Sequence, residues 1–172
     1  MRTAGVLGAL AVALVLQSTL AGMSMAAGTR VNLVLVAVVY VALAYGAVTG
    51  LLAGTAGGLA QDALAGGIVG VGALSKTLVG FLVGVLGAQF IVSQPVPRFV
   101  MFVGATFVHD LCFQAVLAVV ESRGFTMRYW ATFVQALVNA GIGIVAFQIA
   151  EGAPGLLQRR QTRGASYTRR RY

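Results

Sequence analysis

His109 and Asp110 stand side by side inside a long apolar run, and they are the pair in this chain best placed to move a proton. Both can change charge, and ionisable residues within a membrane segment are suspects for function. Thr106, Asp110 and Gln114 follow a helical stripe through the same run, and Thr132, Gln135, Asn139 and Gly143 follow another further on. Two polar stripes on consecutive apolar segments predict a hydrogen-bonded seam between two helices. Each such bond adds only about 0.6 kcal/mol in a membrane protein, so a seam fixes helix register more than it supplies stability. The chain has one histidine. A relay normally needs further titratable groups across several helices, and the seam is the preferred reading.

Asp62 is the second ionisable residue in apolar surroundings. With its helix centred near Gly57 and a rise of about 1.5 Å per residue, it lies about 7 Å from the membrane midplane. A lone carboxylate there costs a few kcal/mol and normally finds a partner in the bundle interior. Lys76, at the start of the next apolar segment, is the expected partner, the two forming an ion pair that pins a helical hairpin. Glycines form a third constellation. Gly46, Gly50, Gly54 and Gly58 place bare positions along one helical face, where another backbone can approach closely. Gly5, Ala9 and Ala13 repeat the idea near the N-terminus, and Gly80 and Gly84 repeat it later. Internal helix packing is the first expectation for such faces, and docking of another membrane protein is the second.

Signatures of catalysis are missing from the sequence: there is no GxxxxGK[ST], no GxSxG, no HExxH and no Cys/His array. No catalytic, cofactor-binding or metal-ligating residue is assigned, and no cofactor is expected. Cys112 is the one cysteine, which excludes an intrachain disulfide.

The elements that must position these residues follow from composition. Hydrophobic residues make up 59% of the 172 residues, charged residues 9%, and the mean hydropathy is +0.91. A single soluble core of this length could not hide so much apolar surface. A lipid-spanning helix needs about 20 mostly apolar residues, because its backbone groups must be satisfied within the segment. Six such segments are expected, over residues 4–22, 31–45, 47–66, 74–92, 99–120 and 129–150, giving an all-α polytopic membrane protein. The second and third form a hairpin turning at Tyr45-Gly46. Pro95 and Pro97 mark a break before the fifth segment, and Gly152 to Gly155 with Pro154 end the sixth. Ser24-Met25-Ala26 resembles a signal-peptidase site, but the apolar run from Thr3 to Gly22 is longer than a signal peptide's core, so a retained first span is expected.

Charge sets the orientation. With six spans, Arg2, Arg98 and the six arginines of residues 159–172 fall on one side, and Arg30, Lys76, Arg123 and Arg128 on the other. The excess of positive charge marks the cytoplasm, so both termini are expected there. The formal net charge of +8 does not point to nucleic acid, because half the basic residues crowd into the tail 152–172, beside a membrane segment. Anionic lipid is the expected counter-charge, at about 1 kcal/mol per arginine near the surface.

Gly58-Leu59-Ala60-Gln61-Asp62, the run Gly66 to Leu74, and Thr77-Leu78-Val79-Gly80-Phe81 resemble the characteristic stretch of the rod shape-determining MreD family. That stretch reads GLxxD, a small-residue turn, G-hydrophobic-x-A-L, and then an apolar span opening on a T/S-L-V-G-aromatic run. Gly58, Leu59, Asp62, Gly70, Ala73, Leu74, Gly80 and Phe81 match it, and Asp110 and Asn139 match less specific features. Thr55, Ala56 and Gly57 depart from it, standing where bulkier residues are usual. The resemblance implies a non-enzymatic scaffold or regulatory subunit in the bacterial inner membrane, part of the complex that elongates the cell and builds peptidoglycan. Implied partners are MreC, the RodA glycosyltransferase with its class B penicillin-binding protein, and, indirectly, MreB. It also implies the fold of the substrate-binding subunits of energy-coupling-factor transporters. That supplies an alternative function, vitamin binding, in which Gly5, Ala9 and Ala13 would dock a coupling subunit and Tyr129, Trp130, Asp62 and Lys76 would line an outer pocket.

Overall fold

The computed structural model describes residues 2–20, 31–90, 94–122 and 124–168, with side chains described as far as Glu151 except those of Arg2 and Leu20. Ser24-Met25-Ala26, Arg30, Arg123 and Arg169 to Arg171 lie outside the described residues, as do the side chains of the earlier tail arginines. The described residues form six helices and no strand: α1 (Arg2–Leu20), α2 (Leu33–Tyr45), α3 (Ala47–Ala65), α4 (Val71–Gln89), α5 (Pro95–Val120) and α6 (Tyr129–Thr168).

Helix α2 is the hub, in contact with each of the other five. Its apolar residues run all the way round, with Val34, Val38, Val39 and Val41 shielded almost completely, as a helix enclosed by others requires. On one side it packs with α1 and α3 through Leu10, Val38, Val41 and Ala53. On the other it meets α4, α5 and α6 through Leu35, Val39, Val79, Phe102 and Phe147. Its 13 residues reach only about 20 Å.

Helices α4, α5 and the Tyr129–Glu151 part of α6 are long and apolar enough to cross a membrane. α1 and α2 are apolar but contribute shorter apolar stretches, and the Gly- and Ala-rich α3 is not among the helices that qualify.

Glycine makes the tight connections. Gly46 separates α2 from α3 at φ +90°, and Gly66 and Gly70 frame the α3–α4 turn at φ +66° and +109°, a region that side chains other than glycine's enter at a cost. Two sequence expectations about proline are corrected. Pro95 opens α5, with Pro97 in the same first turn, because the N–H a proline lacks would have no helical partner there. Gly152 to Gly155 with Pro154 do not end α6, which continues to Thr168; one missing N–H removes one helical bond and does not by itself stop the helix.

Candidate functional site: the polar interior of the bundle

The first turn of a helix leaves backbone N–H groups without partners, and a side chain at the N-cap normally accepts from them. The N-cap of α4 is Gly70, which has nothing to offer. Asp62 reaches across from α3 instead: its Oδ2 accepts from the N–H groups of Gly70 (2.9 Å), Gly72 (2.9 Å) and Ala73 (3.1 Å). A carboxylate at a helix N-terminus also gains from the positive end of the helix dipole. Gly72 suits the same contact, because a side chain there would run into the Asp62 carboxylate and displace it. The capping also explains why α4 begins at Val71, three residues ahead of the expected span.

The expected Asp62–Lys76 ion pair is therefore corrected. Lys76 is only 2% exposed, and its Nζ donates to the Gly72 carbonyl oxygen at 3.5 Å rather than to Asp62, whose Oδ2 is already taken by three amides.

Above this cap the two helices approach until their backbones touch. Added side chains would meet Gly80 and Ala42 at Gly50, the Lys76 carbonyl at Gly54 and Ala73 at Gly58. From the α4 side, Gly80 lies against Gly50, and Gly84 against Ala47 and Gly46. Three members of the glycine stripe are consumed inside the chain, and Gly46 serves the turn, where an added side chain would itself meet nothing. Thr55 and Thr77 add a hydroxyl–hydroxyl bond of 2.8 Å across the same contact. In α1, Ala13 is buried, Ala9 half-buried and Gly5 exposed with nothing near it, so the three do not present one free face.

Between α5 and α6 side chains make the contact. Thr132 Oγ1 donates to Asp110 Oδ2 at 2.8 Å, and His109 Nδ1 lies 3.2 Å from Asp110 Oδ1. Asn139 Nδ2 donates to Thr106 Oγ1 at 3.4 Å, and Asn139 Oδ1 accepts the backbone N–H of Asn32 at 3.1 Å, which ties in the start of α2. Gln114 and Gln135 are half-buried and stand outside these bonds, while Gly143 gives room to the ring of Phe102. Nucleophilic catalysis needs the imidazole between hydroxyl and carboxylate, where it can take the proton. Here the carboxylate lies between them, so Thr132 holds Asp110 in place and is not activated by His109. The imidazole stacks on Phe113, and its Nε2 is buried without a hydrogen bond.

Two contributors escaped the sequence reading. Asn32 caps α2 by accepting from Leu35 N–H at 3.0 Å, and Gln17 of α1 donates to the Val31 carbonyl and accepts from Leu33 N–H. The signal for Asn32 was present, since an Asn directly before an apolar run is a helix start. Gln17 was legible only as the one long polar residue of α1 beyond Arg2.

An all-helical bundle with membrane-capable helices and an interior bonded by buried polar groups defines a class, the integral membrane proteins that hold their helices together from within. A family model described as rod shape-determining protein MreD matches residues 3–149, nearly the whole chain, and the chain belongs to that family. The family consists of membrane proteins that determine rod shape in association with the MreB/MreC system. No curated protein and no solved structure matches the chain.

Proposed function

We propose that the chain is a non-enzymatic scaffold or regulatory subunit of the cell-elongation complex, held in the bacterial inner membrane by six spans with both termini in the cytoplasm. Its partners in this reading are MreC, RodA and the class B penicillin-binding protein, with MreB engaged indirectly and the arginine tail resting on anionic lipid. The proposed architecture is the six-helix fold of energy-coupling-factor substrate-binding subunits, carried over from the family resemblance. The observation that carries the function is the family match over residues 3–149. It is supported by an interior whose Asp62, Asp110, Thr106 and Asn139 spend their polar atoms on the chain itself.

The vitamin-binding alternative has less support. Tyr129 and Trp130 are about 70% exposed, Asp62 is engaged with α4, and Lys76 is enclosed, so these four do not converge on one cavity.

Purification of the tagged chain from gently solubilised membranes tests the proposal. MreC and RodA are expected to co-purify, and tagging of both ends is expected to locate them in the cytoplasm. A chain that returns alone, or one loaded with a vitamin, would overturn it.

A further inference from the structure

At the end of the bundle where α2 and α4 finish and α5 begins, a cleft of about 360 Å³ opens between Tyr40, Leu43, Gly87, Arg98, Phe147 and Glu151. Tyr40, Leu43 and Phe147 bring apolar side chains to its lining and Arg98 brings a cation, and the surface the cleft exposes is more polar than apolar. Arg98 lies with its guanidinium 4.4 Å from the centre of the Phe147 ring, and Tyr40 packs against the same ring, tilted, with centroids 4.6 Å apart. The Arg98 side chain is 12% exposed and pairs with Glu151 at 2.5 Å, whereas the Glu151 side chain is 57% exposed at the rim. Stacking on the ring turns the edge of the guanidinium, here bonded to Glu151, toward the kind of acceptor that a carboxylate or a phosphate supplies. The acidic partner thus lies at the exposed rim and the basic partner is enclosed in the wall.

We propose that this cleft is a binding site for the phosphate of an anionic phospholipid, with Glu151 acting as a tethered competitor that occupies Arg98 until a headgroup displaces it. A lipid fits the chemistry better than a free anion, because Tyr40, Leu43 and Phe147 flank the Arg98 cation and the cleft lies at an end of membrane-capable helices. The volume falls in the ordinary range for a small-ligand site. Only the leaflet that supplies the lipid rests on the orientation proposed above; the site itself does not.

The test uses the full chain in neutral detergent, where orientation plays no part, titrated with short-chain phosphatidylglycerol, with phosphatidylcholine and with inorganic phosphate. Saturable binding of phosphatidylglycerol is expected, with phosphatidylcholine and inorganic phosphate much weaker. Glu151→Gln, a change at an exposed rim position, is expected to tighten phosphatidylglycerol several-fold, and Arg98→Gln to weaken it about tenfold, as loss of a charge-assisted pair implies. Arg98→Lys is expected to recover only part of the affinity. Replacing the six tail arginines by glutamine is expected to leave this binding in place. The proposal is overturned if Glu151→Gln leaves the affinity unchanged or lowers it, if binding disappears with the tail arginines alone, or if the three probes bind equally.

Discussion

The α3–α4 contact and the α5–α6 contact join neighbouring helices by opposite means. In the first, side chains are removed: Gly50, Gly54 and Gly58 face Gly80, Lys76 and Ala73 so closely that backbone meets backbone. In the second, side chains are added, and Thr132 with Asp110 and Asn139 with Thr106 bridge the gap. Lipid gives little hydrophobic drive for helices to associate, so a bundle must rely on close packing or on polar bonds. The two contacts therefore fail differently. A glycine contact has no slack, because the obstructing atoms belong to the backbone, whereas a hydrogen-bonded contact loses one modest bond at a time.

Gly54→Leu is the largest test of that difference. The new side chain would have to displace the Lys76 backbone, and a cost above about 3 kcal/mol is expected, more than ordinary overpacking of a core. Folded yield in detergent should collapse, while Gly5→Leu, at a position with open space around it, should leave yield unchanged. Equal yields for the two variants would remove the argument for a backbone-to-backbone contact.

Asp62→Ala comes next. It strips the acceptor from three N–H groups at the start of α4, for an expected cost of about 2–3 kcal/mol, read as a lower midpoint of thermal unfolding. Asp62→Asn keeps one oxygen and should recover part of the loss. Lys76→Met separates the cap from the rejected ion pair: if Asp62 acted through Lys76, this variant would be as damaging as Asp62→Ala, and it is expected to be milder.

Thr132→Val has the smallest expected effect, about 0.6 kcal/mol and at most about 1.7 kcal/mol, since it removes one bond to Asp110 and little volume. A loss as large as that of Gly54→Leu would show that the seam, rather than the glycine contact, dominates the bundle.

Much of this arrangement was legible in the residues. Apolar runs between breaks placed the first five helices and the start of α6 to within a few residues, since a helix start or stop needs a cap, a glycine or a loss of apolar character, while the end of α6 lies well beyond the expected stop. The polar stripes identified Thr106, Asp110, Thr132 and Asn139 as neighbours across α5 and α6 because the helical repeat alone puts them on one face. What spacing could not give was the partner of Asp62. Charge made Lys76 look like the obvious choice, but a sequence does not display the unpaired N–H groups of a helix beginning at a glycine, and those compete for the same carboxylate. The Arg98–Glu151 pair was hidden for a related reason, being separated by 53 positions with no periodicity to join them.

The central claim is that the chain determines rod shape through the contacts its folded bundle makes, without chemistry at His109, Asp110 or Lys76. The most direct measurement replaces the native copy in rod-shaped cells with His109→Ala, Asp110→Asn or Lys76→Met and scores cell shape against the amount of folded protein in the membrane. Variants that accumulate normally are expected to keep cells rod-shaped. Round cells from a variant present at normal folded levels would contradict the claim and place a reactive group at the centre of the function.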